Sequence, residues 1–560
     1  MIDIRPVANI IGLLLVALGL IMAVPMALDL WVGSPDWRVF LIAGFVTVTA
    51  GALLALATSN ALGDSLTLRQ SFLMTTLSWT VLPAFGALPL FMGIPGISFT
   101  DAMFESMSGM TTTGATILPR IESLAPGLLL WRSILQWLGG LGIVIVALIF
   151  LPVMKVGGMQ HFRSEGFDTM GKVLPRAADI SWMLLQIYAG LTVLCAAAYL
   201  VAGMSLFDAI NHALTTLATG GYSTRDASMS AFGPMAQWVC VLFMWLSTLP
   251  FIRFIQVING DWRPLFVDLQ VRAYLRWTFY AIGLIIVWRL LSAGTFNEQV
   301  LRETSLNVVS MFSGTGFTSA DVSTWGDFAL LVVIVAGFIG GCTASTGCSI
   351  KVFRYLVLFE AIKAQLRQLV HPNRVVMLHL GGRRLEPDVV TSVVVMFTTF
   401  VLGFGVLTVL LSVAGLDMRG AFTASWTAIL NVGPVWGEGV SATGSVEQFS
   451  DGGNAAPATD ANVSLARTRV WKGEVKELDV GVASDLLVTV PRGQAGKVSE
   501  TLELNPRIVA PLRKGDTVGT VKVLFAGKEL ASRPLVALRN VEQGGFVRRW
   551  VDAAWLWWKG

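Results

Sequence analysis

Apolar stretches long enough to cross a bilayer recur along this chain at about 8–30, 38–58, 71–93, 126–153, 180–202, 234–256, 276–294, 328–350 and 388–414. A spanning helix needs roughly 20 apolar residues to cross about 30 Å of hydrocarbon. Nine such stretches predict an all-α polytopic membrane protein. Composition agrees, because only 14% of the 560 residues are charged and 54% are hydrophobic, whereas soluble domains carry about 25% charged residues. The first stretch follows Arg5 and is too long for the apolar core of a cleaved signal, so it reads as a retained helix. Arg289 interrupts the seventh, which makes 276–294 marginal.

Loop charge sets the orientation. With the N-terminus inside, segment 154–179 carries Lys155, Arg163, Lys172 and Arg176, and segment 257–275 carries Arg263 and Arg272. Segment 351–387 carries Lys351, Arg354, Lys363, Arg367, Arg374, Arg383 and Arg384. The outer segments hold only Arg120, Arg225, Arg302 and Arg419, as the positive-inside rule requires. A formal net charge of +4 gives no reason to invoke nucleic acid. Cys195, Cys240, Cys342 and Cys348 lie in apolar runs without metal-ligand spacing, and His161, His212, His371 and His379 are scattered. Neither a structural metal nor a catalytic centre is expected.

Each outer segment contains a semi-apolar stretch too short to span, which ends in a cluster of Thr, Ser and Gly. The clusters run through Met110-Thr-Thr-Thr-Gly-Ala-Thr116, Ala218-Thr-Gly-Gly-Tyr-Ser223, Phe312-Ser-Gly-Thr-Gly-Phe-Thr318 and Leu430-Asn-Val-Gly-Pro434. Their key glycines, Gly114, Gly221, Gly316 and Gly433, lie 107, 95 and 117 residues apart. This is a fourfold internal repeat of span, half-helix, glycine turn and span. Backbone leaves helical geometry within a membrane only where it is buried or lines water. Glycine admits the tight conformations such a turn needs. Carbonyl oxygens can then replace an ion's hydration shell, with the negative end of each half-helix nearby. The expected ion filter is Thr112, Thr113, Gly114, Thr219, Gly220, Gly221, Gly314, Thr315, Gly316, Asn431, Val432 and Gly433.

The string from Asp101 to Thr116, the following Trp131-Arg-Ser-Ile-Leu-Gln-Trp-Leu-Gly-Gly-Leu-Gly-Ile143, the second and fourth filter strings and Gly340-Gly-Cys-Thr-Ala-Ser-Thr-Gly347 resemble the Trk/Ktr/HKT superfamily of potassium transporters over about residues 1–453. The resemblance implies potassium uptake through four membrane–pore–membrane repeats at residues 71–453, preceded by two helices within 1–70. It implies a potassium-type filter, because a glycine stands at Gly114 where sodium-preferring relatives carry serine. The third filter departs from the pattern, with Gly314 where a threonine is usual. The resemblance also implies a gate loop with Gly340, Gly341, Ser345, Thr346 and Gly347. Residue type favours the gate, because a run of Gly, Ser, Thr and Cys is poorly helical and can rearrange; a surface for close helix packing is the other reading. Homodimerisation, a cytosolic nucleotide-binding gating subunit of TrkA type and the inner membrane of a bacterium are implied in the same way. No cofactor is expected, and K⁺ is cargo.

After Asp451-Gly-Gly-Asn454 the resemblance stops. The superfamily continues into a last pore-lining helix, the second of repeat four, and no later segment here can span as a helix. Residues 454–464 read as a linker, and 465–542 alternate apolar and polar residues as a small β-sandwich-like domain. Val470-Trp-Lys-Gly473, Asp485-Leu-Leu-Val-Thr-Val-Pro-Arg-Gly493 and Arg533-Pro-Leu-Val-Ala-Leu538 resemble the C-terminal domain of the D-alanyl-D-alanine carboxypeptidases, the low-molecular-weight penicillin-binding proteins. The catalytic Ser-x-x-Lys of that family is missing from all eleven lysines, so no enzyme is expected. Residues 543–560 fit an amphipathic anchor on membrane lipid, with Phe546, Trp550 and Trp557 on one face and Arg549 off it. A helix packed on the β-domain is the other reading. Topology puts the β-domain in the periplasm. Transport impaired by the missing helix is expected. A passive anchor for the β-domain and a sodium-preferring relative are the alternatives.

Overall fold

The computed structural model describes residues 3–61, 66–118, 120–145 and 177–434 except 295, 372, 374–376 and 382. It also describes 455–459, 466–543 and 545, except 473, 476, 483–485, 490–497, 506–507 and 526–527. Two compact units result, Met1–Phe449 and Ser450–Gly560.

The first unit is helical. Helices α1 (Arg5–Ile21) and α2 (Ala23–Val32) form one apolar run of 28 residues, and α3 (Trp37–Ala57) packs on it. Glycine sets that packing. A Cβ on Gly12 would sit 2.7 Å from the Gly51 carbonyl oxygen, and one on Gly19 would sit 3.0 Å from that of Gly44. Small residues let membrane helices approach closely where no water drives association. Gly12→Leu is therefore expected to separate α1 from α3 and lower the melting temperature of the detergent-purified protein. An unchanged melting curve would contradict this packing.

Four repeats of one pattern follow. A long helix leads to a short one, then a glycine-containing loop. In the first, α4 (Leu68–Gly86) and α5 (Leu88–Gly93) precede the short α6 (Phe99–Met110), and α7 (Pro126–Ile145) follows. In the second, α8 (Ala177–Val201) precedes the short α9 (Leu206–Leu217), and α10 (Pro234–Thr248) with α11 (Phe251–Ile258) follow. A short α12 (Arg263–Val267) leads to the third, where α13 (Leu269–Ala293) precedes α14 (Glu298–Ser313), and α15 (Asp327–Phe338) and α16 (Val352–Val370) follow. In the fourth, α17 (Pro387–Val413) precedes the short α18 (Met418–Leu430). The four short helices start alike. Ser98, Ser205, Asn297 and Asp417 each accept a backbone N–H of the first turn, which satisfies donors that a helix start leaves open.

Among the described residues six helices are long and apolar enough to cross a membrane, or seven if one bent pair counts as a span. The unit is a multi-pass membrane protein. Several expectations need correction. The run 234–256 is not one helix: it bends by 94° at Leu249–Pro250, because the residue before a proline is pushed out of helical geometry. The run 328–350 is helical only to Phe338. Segment 351–387 is not merely a loop, since it contains the 19-residue α16 and a two-residue hairpin of β1 (His379–Leu380) and β2 (Arg383–Arg384). Arg289 does not break α13. It pairs with Glu303 at 3.2 Å and stacks on Trp325.

The second unit contains strands β3 (Ala455–Thr459), β4 (Ala466–Arg469), β5 (Glu477–Val482), β6 (Leu486–Thr489), β7 (Val498–Leu504), β8 (Thr517–Phe525) and β9 (Lys528–Ala537). Five form an antiparallel sheet in the order β4-β5-β9-β8-β7, over a core that includes Val470, Leu478, Val480, Val521 and Leu535. The other two pair as β3-β6, so the expected linker 454–464 is partly strand. Pro457 lacks a donor N–H, which a strand tolerates at an edge. The anchor residues Phe546, Arg549, Trp550 and Trp557, and the basic segment 154–176, lie outside the described residues.

Candidate functional site

The four glycine loops share a backbone signature. In each, the filter glycine has positive φ: +78° at Gly114, +75° at Gly221, +85° at Gly316 and +95° at Gly433. Two residues earlier φ is positive again, at Thr112 (60°), Thr219 (53°), Gly314 (77°) and Asn431 (61°). For a β-branched residue this is a genuine outlier, costing about 1–3 kcal/mol and persisting only where surroundings enforce it. Gly314, the departure from the superfamily pattern, removes that strain in the third loop. The enforcing contact is the same in every repeat. The N–H between the two positive-φ residues folds back onto a Ser or Thr carbonyl of the short helix: Thr113 to Ser108 (2.9 Å), Gly220 to Thr215 (2.9 Å), Thr315 to Ser310 (2.9 Å) and Val432 to Thr427 (3.3 Å).

The loops then close into a ring. A Cβ on Gly114 would collide with the carbonyl oxygen of Gly220, one on Gly221 with that of Thr315, and one on Gly316 with that of Val432. A Cβ on Gly433 would sit 2.9 Å from the Thr113 oxygen, which returns the circuit to the first loop. Each glycine thus abuts the carbonyl that immediately precedes the next repeat's glycine. All twelve expected filter residues lie in these four loops. Asn431 stitches the last loop to the first: its amide donates to the Thr111 oxygen at 2.8 Å and its oxygen accepts from the Thr113 hydroxyl. The four short helices end two or three residues before the ring carbonyls, so their negative C-terminal ends lie next to it in the chain. Neutral carbonyls without carboxylates suit a weakly hydrated monovalent cation.

The loop after α15 sits where the filter strings begin. Gly340, Gly341, Ser345, Thr346 and Gly347 are buried. The Thr219 hydroxyl donates to the Thr346 oxygen (2.9 Å), the Cys348 N–H to Ser313 (3.0 Å) and the Ser349 hydroxyl to Leu430 (2.9 Å). The Asn431 amide reaches the Cys348 sulfur at 3.0 Å. The bend between α10 and α11 receives the loop: Cys342 N–H donates to the Thr248 oxygen, and Phe251 N–H to that of Ala344, each at 2.9 Å. The Lys351 ammonium donates to the Ser345 oxygen (3.2 Å) and to that of Gly347.

Sequence reasoning missed the side chains that brace the ring. Glu105 of α6 and Arg132 of α7 form a fully buried ion pair at 2.7 Å. The carboxylate also accepts from the Thr116 hydroxyl (3.0 Å) and the Ile117 N–H (3.2 Å), and the guanidinium stacks on Tyr222. Gln136 donates to the Gly220 oxygen at 2.7 Å and accepts from the Tyr222 N–H at 3.0 Å. The signal was available, because ionisable residues inside apolar segments are functional pointers by default. Cys348 is a buried free thiol against the Asn431 amide. Among the described residues no three His, Cys, Asp or Glu side chains converge as a metal site.

Residues 37–452 match the TrkH family, described as cation transport protein, and residues 458–543 match the penicillin-binding protein 5 C-terminal domain. The Trk system potassium uptake protein TrkI of Halomonas elongata is 38% identical over 477 residues, covering 85% of this chain and 95% of that protein. TrkH of Escherichia coli K12 is 36% identical over 441 residues, covering 77% and 90%. The crystal structure of the potassium transporter TrkH from Vibrio parahaemolyticus superposes with a TM-score of 0.71 at 32% identity, covering 78% of this chain and 92% of that one. With a family match over most of its length and the four-loop ring in place, this chain belongs to the TrkH family of cation transport proteins.

Proposed function

We propose that the chain takes up potassium through the carbonyl ring, with K⁺ as cargo and no resident cofactor. The closed circuit of Thr113, Gly220, Thr315 and Val432 oxygens against the four filter glycines carries this reading. The names of the most similar relatives, potassium uptake proteins, favour K⁺ over other monovalent cations. In this reading the loop 340–349 blocks or opens the path below the ring, and Lys351 is its tether. The protein sits in the inner membrane of a bacterium as a homodimer. A cytosolic nucleotide-binding subunit engages its inner face, where α16 presents Lys363 and Arg367. The β-unit faces the periplasm and residues 543–560 rest on lipid. The fold of a carboxypeptidase appendage arrives without Ser-x-x-Lys, so the β-unit serves as a binding or tethering module.

Growth of an uptake-deficient bacterial strain at limiting potassium tests the reading. Expression of this chain is expected to restore growth partially, short of the rescue by a relative with an apolar final helix. No rescue together with normal membrane insertion would overturn uptake. Full rescue would show the final helix to be dispensable.

A further inference from the structure

A cavity of about 460 Å³ lies inside the first unit, between α1, α4, the end of α6 and α7. Leu14, Ala17, Met74, Trp79, Met110 and Gly142 line it. Its volume falls in the range of ligand pockets, roughly 300–1,000 Å³. Protein interiors hold few voids larger than a water molecule, so a space of this size departs from close packing. Water is a poor occupant, because a buried water needs 2–4 polar partners. Among the described lining residues the only hydroxyls are Thr75 and Ser78, and Thr75 already donates to the Ser71 carbonyl.

The walls say what does fit. Lining residues run along α1 from Ile10 to Ile21, roughly 16 Å at 1.5 Å per residue. That is the depth of one leaflet of a hydrocarbon core about 30 Å thick. The cavity meets the lipid-facing surface at Leu14, which is 40% exposed. Among the described residues nothing lies within 4 Å of a Cβ placed on Gly142. We propose that this cavity holds an acyl chain of a bilayer phospholipid, seated against Met110 at the foot of the first filter loop. Met110 closes α6 and directly precedes the filter threonines, and a Cβ on Gly139 would collide with its carbonyl oxygen. The seated chain thus completes the wall that supports the first loop. The inference does not depend on which ion the ring carries.

A phosphatidylethanolamine with a photoreactive diazirine near the end of one tail tests it. The full chain is reconstituted in nanodiscs of that lipid, irradiated and mapped by mass spectrometry. Adducts are expected at Leu14, Met74 and Trp79 in excess over Phe45, which is 72% exposed on α3 and reports ordinary surface lipid. Gly142→Phe adds a ring to the cavity wall, starting from a Cβ with no described atom within 4 Å, and is expected to cut the cavity adducts roughly ten-fold, with Phe45 labelling unchanged. Ala17→Trp, at the mouth, provides the same comparison from the other wall if Gly142→Phe does not fold. Cavity labelling no greater than at Phe45, or labelling unaffected by both variants, overturns the proposal.

Discussion

Gly114→Ala lowers rubidium-tracer uptake into proteoliposomes roughly a hundred-fold, from about 3 kcal/mol of strain and displaced carbonyl at 1.4 kcal/mol per decade. Gly114 holds a φ of +78°, where an L side chain is strained, and its Cβ would collide with the Gly220 carbonyl oxygen. The ring can absorb that atom only by moving an oxygen that dehydrates the ion. Gly283, in α13, has helical φ and nothing within 4 Å of an added Cβ. Gly283→Ala therefore leaves uptake unchanged. Equal uptake by both variants would remove the ring from the transport path.

Arg132→Met costs about 3–5 kcal/mol of folding stability, because it leaves the Glu105 carboxylate buried without its counter-charge. The detergent-purified variant is expected to melt well below the parent and to lose monodispersity in gel filtration. Adding Glu105→Gln should return much of the loss, since the amide can still meet Thr116 and the Ile117 N–H without a charge to neutralise. A single variant that melts like the parent would mean that water, not Arg132, satisfies Glu105. A double variant worse than the single would mean that Arg132 acts by packing on Tyr222 rather than by charge.

The repeat was legible because its signals are local. Glycine spacing and short apolar stretches are properties of neighbouring residues. The positive φ at Thr112, Thr219 and Asn431 was not legible. Threonine avoids that region on its own, and the fold-back of the following N–H onto Ser108, Thr215 and Thr427, five residues earlier, imposes it. The Glu105–Arg132 pair joins residues 27 apart on different helices, so only the rarity of charge in an apolar run could have flagged it. The bend at Leu249–Pro250 was a missed local signal: hydropathy ran unbroken through 234–256, and the proline should have overruled it. The strand at Ala455–Thr459 depends on its partner Leu486–Thr489, which no linker-like composition announces.

The circuit of glycines and carbonyls also has a rotational sense. Every loop presents its oxygen to the neighbour behind it and its glycine to the neighbour ahead, so the order of the chain is the order around the axis. Adjacent corners meet glycine against carbonyl, whereas the diagonal approach is looser: a Cβ on Gly114 would lie 3.6 Å from the Thr315 oxygen. Sequence drift at one corner is therefore constrained most by the corner it abuts, and epistasis in such a filter runs around the circumference more than across it.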